Sequence, residues 1–408
     1  MEIVKLAVVF VIIVIALRKK VSVGITLFGA GIITALLYQL DFIILLDSYW
    51  ELIKSKRFIS LTAAILLITM LGSLLKELKY LEKLSKVCSG LYGGKRTAVT
   101  ILPGLIGLMP MPGGSLLSAP LVNDVLNDKK YPPEFKLVTN YWFRHLVEFF
   151  WPIYPGIILT EGITGMPIYK VSMLQFPLTI AMVIIGIAIF IRKIDFSNNK
   201  VVNVVISLKG IFTALWPIFL AITLYGIFKL ELTLSILLAI LLLVVISKPN
   251  KTQLISAMKT GLSLNLIFLL FGVLSFQNVL EITGSIDSIP NLAVTYNLPV
   301  ALIIIMVCFI IGILTGMVSA YVGLGYALLA GILYQPVINP SNILLAYLSG
   351  YVGVMLAPTH LCLILTNNYY KSDLSKVYKT MIIPFIILFV TGFLIYLSPW
   401  SLLFISNN

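Results

Sequence analysis

Residues 100–122 read TILPGLIGLMPMPGGSLLSAPLV, and residues 310–333 read IIGILTGMVSAYVGLGYALLAGIL. In each stretch two short apolar limbs flank a centre of small residues, at Pro110–Ser115 and at Ser319–Gly325. Pro and Gly at this density do not sustain one continuous helix. Each stretch therefore predicts a helical hairpin.

The composition places both stretches in a membrane. Of the 408 residues, 60% are hydrophobic and only 11% are charged, and the mean hydropathy is +1.06. A soluble protein of this size needs far more polar surface to cover its core. We therefore predict an all-α integral membrane protein whose partner is the lipid bilayer, and we exclude soluble enzymes and nucleic-acid-binding proteins.

Cysteine and histidine are too few and too scattered to predict a cofactor. Cys88, Cys308 and Cys362 show no CxxC spacing, and the chain has only two histidines. The sequence thus predicts no disulfide framework, no metal site and no bound cofactor.

Charge decides the predicted topology. Irregular backbone at membrane depth must be buried in protein, so we interpret 98–126 and 303–334 as re-entrant hairpins. With ten full spans, 21 of the 29 Lys and Arg residues then lie on one side and six on the other, with two inside spans. This bias predicts that the first hairpin opens from the cytoplasm, the second from outside, and that both termini are outside. The predicted spans are 2–17, 21–40, 58–75, 134–160, 170–192, 203–228, 230–247, 255–283, 341–367 and 374–398.

The two halves, 1–197 and 198–408, follow the same order of three spans, a hairpin, a broken span and a last span. Five full spans per half is an odd number, which predicts that the second half is inverted in the membrane. The spacing repeats as well, because Gly107 precedes Pro152 by 45 residues and Gly316 precedes Pro358 by 42. Inverted repeats with broken helices are the architecture of secondary transporters.

Three motifs carry a resemblance to a known family. They are MPMPGGSLLSAPLV (109–122), NYWFRHLVEFFWPIYPG (140–156) and LAPTHLCLILT (356–366). They are similar to those of an uncharacterised prokaryotic membrane-protein family, a domain of unknown function within the ion-transporter superfamily. That superfamily includes divalent-anion/sodium symporters, citrate and gluconate permeases and arsenite exporters. The resemblance implies inverted repeats, a prokaryotic inner membrane and a homodimer.

The hairpin tips depart from the superfamily pattern. Sodium–dicarboxylate members carry Ser-Asn-Thr at both tips, whereas this chain has Gly113-Gly114-Ser115 and Val318-Ser319-Ala320. The departure weakens both the dicarboxylate and the sodium assignment, so H⁺ is the favoured coupling ion and Na⁺ the alternative.

The tips supply the first candidate substrate-binding residues. Glycine lets the backbone approach a ligand, and Ser115 would cap the second limb, whose positive dipole end attracts anions. The alternative is a turn that only packs. The selected residues are Pro112, Gly113, Gly114, Ser115 and Ser118 in the first hairpin and Ser319, Tyr321, Gly323 and Gly325 in the second.

Three ionisable residues precede Pro152. This proline interrupts the broken span of the first half, and Pro358 interrupts that of the second; we call these interruptions the first and the second break. Charged groups inside a membrane are costly and usually functional. Arg144 and Glu148 are four residues apart and can pair on one helix face, while His145 and Glu148 could share a proton. In a functional interpretation Arg144 is the anion clamp or gate and Glu148 carries the proton. The alternatives are a structural ion pair and an arginine that snorkels to the interface.

The breaks complete the predicted site. Pro152 and Tyr154 stand at the first break, and Pro358, Thr359 and His360 at the second. His360 changes charge near physiological pH, so we expect either a ligand or proton-relay role or a hydrogen bond to a neighbouring group.

Together these features predict a secondary-active transporter, not an enzyme, that moves a small organic anion by alternating access with H⁺ or Na⁺. Two alternatives from other classes are a passive anion channel and an intramembrane enzyme that modifies lipid.

Overall fold

The computed structural model describes residues 2–80, 82–84, 94–109, 111, 113–196 and 204–405. Within these ranges the chain forms helices and no strand. Six helical stretches are long and apolar enough to cross a membrane by length and composition, which agrees with the predicted all-α membrane class. They are Lys56–Glu77, Ile168–Lys193, Lys209–Gly226, Lys251–Ile282, Pro340–Tyr370 and Leu374–Leu397. The charged stretch at 76–96 predicts an amphipathic helix on the cytoplasmic face, and its residues 81 and 85–93 lie outside the described residues.

The first half is described from α1 to α9. These helices are α1 (Glu2–Arg18), α2 (Val23–Leu37), α3 (Phe42–Lys54), α4 (Lys56–Glu77), α5 (Lys95–Gly107), α6 (Gly114–Val125), α7 (Pro133–Arg144), α8 (Pro155–Thr164) and α9 (Ile168–Ile189). Short 3₁₀ segments follow α7 at Leu146–Phe149 and α9 at Ile191–Lys193.

The second half is described from α10 to α20. These helices are α10 (Val204–Gly226), α11 (Leu232–Ser247), α12 (Lys251–Gly261), α13 (Leu264–Ile282), α14 (Ser288–Thr295), α15 (Val300–Thr315), α16 (Val318–Leu328), α17 (Ala330–Leu333), α18 (Pro340–Leu356), α19 (Leu361–Tyr370) and α20 (Leu374–Leu397). The 3₁₀ segments are Ser285–Asp287 and Pro399–Phe404.

Three helices, α3, α12 and α14, lie where no separate helix was predicted, and local capping begins two of them. Asp41 accepts a hydrogen bond from the Ile43 amide at 2.7 Å and so begins α3, between two predicted spans. The Asn250–Gln253 capping box begins α12, which is separate from α13 although one span was predicted at 255–283. Both starts are set by local capping, which a search for long apolar runs does not detect.

Each hairpin contacts the broken span of its own half and of the other half. Helices α5 and α6 pack on each other and on α7, and α15 packs along α18. The second limb of the first hairpin, α6, contacts α19, and the second limb of the second hairpin, α16, contacts α8. The two breaks and the two hairpins therefore converge on one region.

The turn of the second hairpin is not where the small residues predict it. Gly316 ends α15 with φ +65° and the chain turns there, whereas Ser319–Gly325 lies within α16, partly as a π-helical segment. An added Cβ would lie 2.5 Å from Val273 at Gly323 and 3.2 Å from Cys308 at Gly325. These two glycines therefore permit close packing of α16 on its neighbours, and the prediction of a tip at Ser319–Gly325 was wrong.

A close backbone contact joins the first hairpin to the first break. A Cβ added to Gly107 would clash with the carbonyl oxygen of Arg144, and helix backbone has little room to shift. We expect Gly107→Ala to destabilise the protein by about 1–3 kcal/mol and to lower its Tm in detergent. The matched control is Gly29→Ala, because a Cβ at Gly29 meets no atom within 4 Å. Equal Tm values for the two variants would contradict this contact.

Candidate functional site

The three predicted ionisable residues are buried where α7 ends. Arg144 is the last residue of α7 and is 1% exposed, His145 is fully buried, and Glu148 is 7% exposed in the following 3₁₀ segment. The helix resumes only at Pro155, whose missing N–H suits the first position of α8. The break therefore holds a charged group inside the protein.

Arg144 is the centre of a polar network. Its Nη1 donates to Glu148 Oε1 at 2.7 Å and to the Tyr154 hydroxyl at 2.7 Å, and its Nη2 donates to the Met111 carbonyl at 3.3 Å. The Tyr154 hydroxyl donates in turn to the Gly107 carbonyl at 2.8 Å. The predicted Arg144–Glu148 pair is thus present, and Tyr154 ties it to the end of α5.

The guanidinium group lies against the tip of the first hairpin. Gly113 has φ +72° and stands at the cap of α6, and a Cβ added to Gly114 would lie 2.8 Å from Arg144 Nη2. Only glycine leaves room for this approach. Among the described residues, Arg144 Nε has no hydrogen-bond partner. The buried Arg144 guanidinium, with its Nε unbonded, therefore lies at the N-terminus of α6. A helix N-terminus also attracts negative charge.

Ser115 joins the two halves and does not cap α6. Its Oγ donates to the Cys362 carbonyl at 3.0 Å and lies 2.8 Å from Thr366 Oγ1, both in α19. The Ser115 carbonyl accepts from Asn140 Nδ2 at 2.7 Å and from Ser118 Oγ at 3.1 Å. The predicted capping role was wrong because Gly113 occupies the cap position, one residue outside the first turn.

The two histidines of the chain meet at the junction of the breaks. His145 Nδ1 lies 2.6 Å from the Tyr141 carbonyl, and His360 Nδ1 lies 2.9 Å from the Gly316 carbonyl. Their Nε2 atoms are 3.4 Å apart. Cys362 Sγ and the two imidazoles offer donor atoms that all lie within 4.8 Å of one another. We call His145, His360 and Cys362 the His–His–Cys cluster.

Tyrosine hydroxyl groups donate hydrogen bonds to backbone carbonyl groups at the two breaks. In the first break, the Glu148 carbonyl accepts from the Tyr347 hydroxyl at 2.9 Å, and the His145 carbonyl from the Tyr351 hydroxyl at 3.1 Å. In the opposite direction Tyr141 donates to the Met355 carbonyl at 3.1 Å, near the second break. Each half thus satisfies carbonyl groups of the other.

The structure brings together only part of the predicted site. Gathered around the two breaks are Gly113, Gly114, Ser115, Ser118, Arg144, His145, Glu148, Tyr154 and His360. At the breaks, Pro152 lies in the turn before α8, Pro358 lies in the turn before α19, and the Thr359 hydroxyl lies close to Gly316. Four predicted residues lie within α16: Tyr321, Gly323 and Gly325 are buried and Ser319 is half-buried, and the Tyr321 ring packs against that of Tyr347. Pro112 lies outside the described residues.

Sequence reasoning missed several residues of the network. Cys362 was considered only for disulfide and CxxC spacing, although it follows His360 by two positions. Asn140, Tyr141 and Thr366 lie within the quoted motifs but were not selected as site residues, and Tyr347 and Tyr351 lie outside those motifs. Their roles become visible only when the two halves are packed together.

The chain belongs to a family described as "Protein of unknown function (DUF401)", which matches residues 3–398. No curated protein matches the sequence.

A double-variant cycle tests the buried ion pair. Arg144→Met leaves the Glu148 carboxylate buried without its partner, and we expect a loss of about 3–5 kcal/mol in stability. Adding Glu148→Met removes the orphaned charge and should restore much of that loss. The measurement is the Tm of both single variants and the double variant in detergent. Additive losses would show that the two side chains are not coupled.

Proposed function

We propose that this member of the DUF401 family is a secondary-active transporter that binds a small organic anion and moves it by alternating access. The observation that carries the proposal is the Arg144 guanidinium, 1% exposed, at the N-terminus of α6 with its Nε unbonded among the described residues. Such a donor beside the positive end of a helix suits a carboxylate.

The local charge balance supports a ligand with few negative charges. Glu148 already compensates Arg144 through the 2.7 Å ion pair, so the site is close to neutral before a ligand binds. An anion then draws on the spare guanidinium donor and on the N–H groups of Gly114 and Ser115 at the start of α6, whereas the Leu116 N–H already donates to the Gly113 carbonyl. Gly113 and Gly114 present no side chain that would block this approach.

We further propose the membrane arrangement. The halves 1–197 and 198–408 are inverted repeats, α5–α6 and α15–α16 are re-entrant hairpins, and both termini lie outside a prokaryotic inner membrane. The reciprocal contacts of α6 with α19 and of α16 with α8 support the repeat. The 21-to-6 distribution of Lys and Arg supports the orientation. The protein works as a homodimer, as the resemblance to the ion-transporter superfamily suggests.

Burial of the site supports alternating access rather than an open channel. Arg144, Glu148 and Ser115 are all buried in this structure, so a ligand reaches them only after the surrounding helices move. Coupling to a gradient of H⁺ or Na⁺ distinguishes a transporter from a channel, which conducts without a coupled ion.

Binding and flux together test this proposal. The purified protein would be heated with gluconate, citrate, lactate or succinate, each with Na⁺ or K⁺ at acidic and neutral pH, because a specific ligand raises Tm. The anion that stabilises the protein would then be tested for gradient-driven uptake into proteoliposomes.

Arg144→Lys should weaken anion binding about tenfold or more, because an ammonium lacks the planar set of donors. The control is Arg57→Lys, a second arginine with bonds to the Gly162 and Ile163 carbonyls, away from the hairpin tips. We expect the control to retain anion binding. Anion flux without a coupled ion would point to a channel, and equal binding by both variants would remove Arg144 from the site.

Reporter fusions test the orientation. A C-terminal fusion at residue 408 should be active with alkaline phosphatase, which folds outside, and inactive with a fluorescent protein that matures only in the cytoplasm. A fusion after Lys130 should behave in the opposite way. Cytoplasmic activity at both positions would contradict the re-entrant assignment.

A further inference from the structure

The His–His–Cys cluster has the arrangement of a metal site rather than of a packed core. Both Nδ1 atoms face backbone carbonyls, which only accept hydrogen bonds, so both Nδ1 atoms carry the proton and donate it. In the neutral rings the Nε2 lone pairs then point to the same place. Two lone pairs 3.4 Å apart repel unless something positive lies between them.

The spacing fits a metal ion. Two Zn–N bonds of about 2.0–2.1 Å at a tetrahedral angle place the nitrogen atoms roughly 3.3 Å apart. The observed Nε2–Nε2 distance is 3.4 Å. The Cys362 sulfur completes a set of three donors within 4.8 Å. No large rearrangement is needed to bring three ligands onto one ion.

The surroundings are those of a ligated histidine pair. Ligating histidines usually donate their second N–H to a carbonyl or carboxylate, which fixes the tautomer and the ring orientation. Tyr141 supplies this carbonyl for His145, and its ring packs 4.6 Å from the His145 ring, centre to centre. Cys362 lies in the first turn of α19, where the helix N-terminus favours a thiolate.

From this geometry we propose that His145, His360 and Cys362 bind one thiophilic d¹⁰ cation, Zn²⁺ or Cu⁺. Imidazole and thiolate select these ions over Mg²⁺, Ca²⁺ and Na⁺, which prefer oxygen. One carboxylate stands beside the cluster, because Glu148 Oε1 lies 3.8 Å from His145 Nε2. The inference replaces the expectation of no metal site drawn from sequence spacing, and it does not depend on the proposed transport function.

The site would join the two halves of the protein. His145 follows α7 in the first break, and His360 and Cys362 lie at the second break. A bound ion therefore links two interrupted helices that otherwise meet through hydrogen bonds. The expected consequence is that the ion raises the Tm of the protein.

Zinc binding by the metal-free protein in detergent tests the proposal. Equilibrium dialysis with Zn²⁺ should give one ion per chain, and Mg²⁺ should not compete. His145→Gln, His360→Gln and Cys362→Ser should each lower zinc affinity at least about tenfold. Cys308→Ser is the matched control, because Cys308 is also a buried free cysteine but lies in α15, outside the cluster. This variant should bind like the wild type. A parallel titration with Cu⁺ under reducing conditions decides between the two ions.

Cobalt provides a readout that misfolding does not imitate. Co²⁺ bound to the wild type and to Cys308→Ser should show a thiolate-to-metal charge-transfer band, and Cys362→Ser should lack it while keeping its elution volume on a sizing column. Absence of both Zn²⁺ and Cu⁺ binding by the wild type, or the same cobalt band in Cys362→Ser, would overturn the proposal and leave a shared proton between the histidines. Anion binding through Arg144 is measured separately, so either proposal can fail alone.

Discussion

Interrupting a helix where it is buried leaves backbone groups that water cannot satisfy, and this constraint governs the structure. Each unbonded carbonyl in such a place costs several kcal/mol. Here Tyr347 and Tyr351 of α18 bond the carbonyls of the first break, and Tyr141 of α7 bonds a carbonyl beside the second. Because each break draws some of its hydrogen bonds from the other half, packing of the two halves on each other stabilises both breaks.

Hydrogen bonding between neighbouring segments also explains why a charged side chain can be buried where the two breaks meet. The Arg144 guanidinium donates hydrogen bonds to three neighbouring oxygen atoms, of Glu148, Tyr154 and the Met111 carbonyl, and these bonds hold the charge in a fixed place. The Tyr154 hydroxyl extends the network by donating a hydrogen bond to the Gly107 carbonyl at the end of α5. The first hairpin, the Arg144–Glu148 ion pair and the first break therefore form one unit, and a structural change in one of them alters the other two.

Features local in sequence could be predicted, and features that join distant segments could not. The Arg144–Glu148 pair follows from a spacing of four. The contacts of Gly107 and Gly316 with the breaks of their own halves became visible only in the structure. The turn at Gly316 was misplaced because Gly323 and Gly325 serve packing, which composition does not distinguish from turning. The His–His–Cys cluster was invisible because His145 and His360 are 215 positions apart.

Glu148 connects the two proposed sites physically. Its Oε1 lies 2.7 Å from Arg144 Nη1 and 3.8 Å from His145 Nε2, so one carboxylate faces both the guanidinium and the His–His–Cys cluster. A cation in the cluster shares the negative charge that otherwise compensates Arg144. The guanidinium is then less fully neutralised, and its affinity for an added anion rises. By linkage, the anion raises the affinity for the cation by the same factor. Coupled binding of the proposed anion and the proposed cation would thus follow from the position of a single side chain.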